Sequence, residues 1–332
     1  MKGIAVSAHS SVIDFHAHFV PDFYRDAAVK AGYGNPDGMA GFPHWSVDEA
    51  LAMMDRCGVA VAVASVSSPG VHFGDDAAAR HLARSVNEFS ATVRDEHPDR
   101  FAFLASLPLP DVEGALAEID HAYDVLHADG VTLKTNARGL YLGDPAMEPV
   151  LDALDQRRAL VVLHPTSPPG WEAVSRGWGR PMIEFPFDTT RAVADLLLRG
   201  GLIRHPGIRM VVPHGGGALA AFADRIDEFT RIFAVADGPD VAGQLRNLYY
   251  DLAGFPVPRQ LPSLLAMTDP SHLLYGTDWP WTPEPVIAAA TSGIQASPLL
   301  DQDQVTAMMT TNGLPLLDRF GADESASSDP AA

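Results

Sequence analysis

Apolar residues come in two rhythms along this chain. Short unbroken apolar runs alternate with longer stretches in which apolar positions recur every three or four residues. The first rhythm fits buried parallel strands and the second fits helices with one buried face. Runs at 12–18, 59–64, 101–107, 130–134, 160–164, 208–213, 248–252 and 273–276 predict eight strands. Between them, helices are predicted after Ser46, over 75–97, 111–127 and 145–157, from Asp188 or Thr189 to about Leu198, after Gly217 and over 303–319. Ser46 with Glu49 three positions on has the form of a capping box, and Gly58 marks the stop. Residues 20–45 carry Gly-Tyr-Gly-Asn-Pro-Asp-Gly and predict a long loop, either a lid over a site or a surface excursion. Residues 165–186, rich in Pro, Gly and aromatics, predict an irregular stretch. The alternation implies a parallel sheet with right-handed crossovers.

Four of the strand runs stop on residues able to bind a metal. They are Val12-Ile13-Asp14-Phe15-His16-Ala17-His18, Leu160-Val161-Val162-Leu163-His164, Ile208 to His214, and Leu273 to Asp278. Side chains two apart on a strand share a face, so His16 and His18 point the same way. Four such ends imply one shared site at the carboxyl ends of a parallel barrel, where barrel enzymes place their chemistry.

Composition narrows the partners. A formal net charge of −19 disfavours nucleic acid and anionic membranes. Cys57 is the only cysteine, which excludes a disulfide framework and a thiolate metal site. No apolar run approaches a membrane span or the core of a signal peptide, so the expectation is a cytoplasmic protein, one domain over 1–332, with flexible ends at 1–11 and 322–332.

His-x-His, a lone His, His-Gly-Gly-Gly-Ala at 214–218 and Tyr-Gly-Thr-Asp at 275–278 together resemble the amidohydrolase superfamily, in the branch typified by aminocarboxymuconate-semialdehyde decarboxylase. Ser67-Ser68-Pro69-Gly70 and Tyr141-Leu142-Gly143-Asp144 are similar to a salicylate-type sub-branch that includes 6-methylsalicylate decarboxylase. The resemblance implies a distorted (β/α)8 barrel, homo-oligomeric as a dimer or tetramer. It also implies one divalent metal, zinc first and manganese or cobalt next, on His16, His18, His164 and Asp278. His214 is then either an acid/base beside the metal water or a ligand of a second metal. Lys134 is either a rim residue or a carboxylated bridge in a binuclear site.

Arg176, Arg180 or Arg191 could grip a carboxylate. Trp279 and Trp281 could wall an aromatic pocket or belong to the core. Ser67, Asn136 and His72 are further rim positions, and His81, His97, His121, His127 and His205 are expected on the surface. The muconate enzyme's substrate-gripping arginine corresponds to Ala50, which points away from muconate and toward an aromatic acid chelated by the metal. The expected activity is non-oxidative decarboxylation of a hydroxybenzoate, with Asp278 and His214 catalytic. The alternatives are an ester, lactone or amide hydrolase using the same ligands, and a non-catalytic binding barrel.

Overall fold

The computed structural model describes residues 12–233 and 239–320, so the predicted lead-in and tail lie outside the described residues. Eight strands form one sheet in sequence order: β1 (Val12–His18), β2 (Val59–Ser65), β3 (Phe101–Ser106), β4 (Gly130–Lys134), β5 (Leu160–His164), β6 (Arg209–Val212), β7 (Tyr249–Asp251) and β8 (Leu273–Leu274). Neighbouring strands pair in parallel throughout. Closure comes from the segment that follows β8. Phe15 N donates to Tyr275 O (2.9 Å), Asp278 N to His16 O (2.7 Å) and His18 N to Trp279 O (2.9 Å). The barrel is irregular at β1, where the register with β2 shifts twice.

Helices fill the crossovers. Their ends obey local chemistry: α2 (Val47–Cys57) starts with Glu49 N donating to Ser46 Oγ and ends on Gly58 at φ 70°, a left-handed cap that favours glycine. In α3 (Asp76–Glu96), Ala78 N donates to the Asp75 carboxylate. A first apolar layer lies between strands and helices, with Phe103, Leu133, Val161, Leu163 and Met210 among its buried members. A second cluster joins Val61, Leu104, Val162 and Leu274 to Leu316, Leu317 and Phe320. Arg319 Nη2 donates to the carbonyl of Phe101, the first residue of β3, which seats this last segment across the amino-terminal end of the barrel. No helix of the described residues is long and apolar enough to cross a membrane.

Three boundaries differ from the sequence expectation. The stretch 20–45 opens with a helix, α1 (Asp22–Lys30), because Tyr24 and Ala28, four apart, bury one face before the glycines begin. The helix expected from Asp188 starts earlier, as Glu184–Leu198, since proline at Pro186 is tolerated in a first turn where no N–H partner is needed. Asp188 is then not a cap but a buried carboxylate inside the helix. The expected closing helix 303–319 stops at Gln302–Met309 and continues as a 3-10 stretch, Thr311–Leu316, with Pro315 inside it. Gly313 lets this stretch lie on Phe15, whose ring a Cβ would strike. Gly313→Ala should therefore destabilise the protein by ~1–3 kcal/mol, as overpacked sites do. A urea melt showing no loss would mean that Phe15 yields freely.

Candidate metal centre

Strand alternation delivers the first three side chains. His16 and His18 share one face of β1, and His164 shares the face of Leu160 and Val162 on β5. Asp278 follows β8 in the turn that closes the barrel. The four groups His16, His18, His164 and Asp278 offer ligand atoms that all lie within 4.8 Å of one another. His18 Nε2 stands 3.1 Å from Asp278 Oδ1, and His16 Nε2 3.5 Å. His214, after β6, brings its Nε2 to 3.7 Å from Asp278 Oδ2, and its ring centroid lies 4.6 Å from that of His16.

The other ring nitrogens show which way these histidines are set. His18 Nδ1 is 3.2 Å from the Ser65 carbonyl, His164 Nδ1 2.7 Å from the Pro165 carbonyl, and His16 Nδ1 2.9 Å from Asp251 Oδ2. A carbonyl oxygen can only accept, so Nδ1 carries the proton in His18 and His164, and the Asp251 carboxylate imposes the same on His16. Each Nε2 lone pair is then left to face the common centre, the arrangement that supporting oxygens impose on metal-binding histidines.

Electrostatics agree. Burial pushes the His18 imidazolium down to about 4 and that of His164 well below its usual value, so both rings are neutral, as ligands must be. Burial would raise Asp278, but the surrounding imidazoles of His18, His214 and His16 hold its carboxyl well below the usual range. Burial opposes charge on His16, yet Asp251 outweighs it, with Asp278 and Asp14 adding, and lifts the ring to about 9. The place therefore calls for positive charge. His16 Nε2 is buried without a hydrogen-bond partner, which a divalent ion on these four groups would supply. The residues fit a metal.

Two buried carboxylates that sequence reading missed hold this geometry. Asp14 accepts from Thr277 Oγ1 (2.6 Å), Thr277 N (3.0 Å) and His16 N (2.9 Å), tying β1 to the turn before Asp278. Burial raises Asp14 to about 6 despite these bonds. Asp251 accepts from His16 Nδ1 and also from His214 N at 3.0 Å, so one side chain positions both rings. Gln260 Nε2 donates to the carbonyls of His214 (2.6 Å) and Gly217 (3.1 Å). These clamps matter because His214 (φ 54°) and Asp278 (φ 59°) occupy the left-handed region. Such residues cost ~1–3 kcal/mol each and persist where the surroundings over-determine them. Asp251→Asn should weaken metal binding ~10–100-fold, the usual effect of losing a supporting carboxylate. Competition with a chelating dye would show it, and unchanged affinity would remove Asp251 from this role.

Two of the four groups, His164 and Asp278, line a cavity of about 510 Å³ together with His214. Its walls include Met39, Met182, Phe185, Phe255 and Trp281, and among the described residues no lysine or arginine lines it. Pro36, Asp37 and Met39, from the loop after α1, form part of the wall, as expected of a lid. Ser67 and Trp281 both reach this cavity, with Trp281 Nε1 donating to Ser67 Oγ at 2.8 Å.

Other sequence-chosen residues lie elsewhere. Trp279 points away from Asp278 and packs on the core. Asn136 and Arg191 are engaged by the buried Asp188, to which Asn136 Nδ2 (2.8 Å) and Arg191 Nη1 (3.0 Å) donate. Arg180 stacks over Trp171 at 3.8 Å and lines a neighbouring cavity, as do Asn136 and His72. Arg176 is exposed. Lys134 Nζ donates to the Val66 carbonyl (2.6 Å), burial lowers it to about 7, and it too lines the neighbouring cavity. His205 is buried rather than exposed, because its ring is held between the Gly201 carbonyl (2.7 Å) and Asp152 (3.1 Å).

Residues 13–319 match the amidohydrolase family. The 6-methylsalicylic acid decarboxylase of Aspergillus aculeatus is 34% identical over 319 residues, covering 93% of this chain and 96% of that protein. A crystal structure of an amidohydrolase II superposes with a TM-score of 0.87 at 35% identity, covering 93% of this chain and all (100%) of the other. The 5-carboxyvanillate decarboxylase of Novosphingobium aromaticivorans, solved with manganese and 4-hydroxy-3-methoxy-5-nitrobenzoic acid, superposes with a TM-score of 0.82 at 19% identity, covering 93% and 97% of the two chains.

Proposed function

The chain belongs to the amidohydrolase family, and from that premise we propose that it is a metal-dependent decarboxylase of a salicylate-type aromatic acid. One observation carries the reading. Three histidines with committed Nδ1 atoms converge with an ionised Asp278 beside a largely apolar cavity that, among the described residues, offers no lysine or arginine. A substrate carboxylate entering that cavity meets neutral polar groups and no lysine or arginine among the described residues, so its charge calls for a metal. The similarity to the 6-methylsalicylic acid decarboxylase supports the same substrate class.

His16, His18, His164 and Asp278 would hold the ion. Three imidazoles and a carboxylate suit zinc, with manganese the ion present in the 5-carboxyvanillate decarboxylase. Bound, the metal supplies positive charge for the substrate's carboxylate and ortho oxygen. Trp281 and Phe185 supply aromatic wall for the ring, and the more exposed Phe255 stands at the edge of the cavity. The His214–Asp278 pair, 3.7 Å apart, places a proton at the carbon bearing the carboxylate. A C–H bond forms there, the C–C bond breaks, its electrons return to the ring, and carbon dioxide leaves.

Lys134 is a rim residue in this reading, so the purified protein should hold one metal per chain. Elemental analysis giving two tight ions would favour a binuclear hydrolase. Exposed Phe187, Phe222 and Phe233 form an apolar patch that supports a homo-oligomer, which light scattering would check. Assaying carbon dioxide release beside ester and lactone hydrolysis tests the activity. Turnover of esters without carbon dioxide release from any hydroxybenzoate would overturn it.

A further inference from the structure

A second cavity, of about 470 Å³, opens beside the metal cavity. The same stretches of chain divide the two. Ser67 and Ser68 face the metal cavity, whereas Pro69 and Gly70 face its neighbour. Met182 lines the first and Arg180 the second, and Asp37 borders both.

The second cavity gathers three cationic side chains, Lys134, Arg138 and Arg180. Lys134 Nζ has one protein partner, the Val66 carbonyl, which leaves two of its donors free. Arg180 Nε donates to the Ser167 hydroxyl at 2.8 Å, and its guanidinium lies over Trp171. Two carboxylates, Asp37 and Glu172, also line the cavity, but among the described residues neither forms an ion pair with these cations. Asp37 instead accepts from Ser167 Oγ at 2.5 Å. Elsewhere the chain matches its cations readily: Arg80 pairs with Asp111, Arg157 with Asp120 and Arg204 with Glu148. Three basic side chains thus face two carboxylates around one cavity, with no direct ion pair among them in a protein whose net charge is −19.

Half-buried Lys134 and Arg180 are partly withdrawn from bulk water with only the longer-range attraction of Asp37 and Glu172 to offset that cost, and an entering anion adds to the offset. Lysine and arginine beside hydroxyl and amide groups suit a carboxylate. Leu107, Leu109 and Tyr33 supply apolar wall, and the volume falls in the range that holds a small organic molecule. We propose that this cavity is a second binding site for a small organic acid, whose carboxylate is held by Lys134 and Arg180. The site does not depend on the reaction at the metal cluster. Because the loops are shared, its occupant fixes Asp37 and residues 67–70, which also shape the metal cavity.

The probe is 4-bromobenzoate, which has no ortho hydroxyl for chelation. Crystals of the metal-loaded enzyme grown with it should show bromine in the second cavity, with the carboxylate toward Lys134. In calorimetric titrations, Lys134→Met and Arg180→Gln should each weaken this binding about 10–100-fold, as loss of a charged hydrogen-bond donor does. Metal content should not change. Lys134→Met should melt no lower than the parent, since burial already opposes the charge it removes; should it fail to fold, Arg180→Gln carries the test. Bromine found only in the metal cavity, or equal affinity in parent and variants, would overturn the proposal.

Discussion

His16→Ala and His164→Ala should each give a folded protein that has lost both its metal and its activity. Each side chain supplies one of four ligand groups, two from β1, one from β5 and one from the turn after β8, and among the described residues no fifth group joins the cluster. His214 is the nearest substitute for His16, with ring centroids 4.6 Å apart, but its backbone is fixed by Asp251 and Gln260. The fold should survive because the apolar clusters that join strands to helices do not include these rings. Removing His16 also leaves Asp251 buried without its ring partner, so this variant should be the less stable of the two. Metal analysis beside circular dichroism reads both effects. Full occupancy in either variant would move the metal elsewhere.

His214→Asn and Asp278→Asn should separate acid/base work from metal holding. His214 stands outside the four-group cluster but faces Asp278 Oδ2. Its asparagine variant should keep the metal and lose ~10²–10⁴ in kcat, the usual loss for an acid/base. Asp278 is both a ligand and the partner of His18 and His214, and it is the one charged member of the set. Its asparagine variant should lose activity and also bind metal more weakly, because the ion then faces a neutral amide. Metal content and kcat measured together decide it. A His214→Asn protein stripped of metal beside a fully loaded Asp278→Asn protein would reverse the two roles.

Much of this was legible in the chain because parallel strands announce themselves as apolar runs and barrel sites collect at their ends. His16, His18, His164 and Asp278 all sit where such runs stop. Asp14 and Asp251 were not legible as site residues. Each is a charged residue beside or inside an apolar run, and only the closed barrel shows that Asp14 meets Thr277 and that Asp251 meets His16, 235 positions away in the chain. A lone acid in a strand run was the available signal. Arg180, Asn136 and Trp279 lie outside the metal cavity. Residue type suited them to a substrate, but Asp188, Trp171 and the core claimed these neighbourhoods through contacts that no local pattern encodes. The helix Asp22–Lys30 was hidden by the glycines and proline that follow it, although its buried pair Tyr24 and Ala28 has helical spacing.

The most direct test is turnover of carboxyl-13C-labelled 6-methylsalicylate in D2O, followed by NMR. The enzyme should release labelled carbon dioxide and give 3-methylphenol carrying one deuterium at the vacated ring carbon. Chelator should abolish the reaction and added divalent metal restore it. Unchanged substrate with metal-loaded enzyme, or release that persists after the metal is removed, would contradict the account.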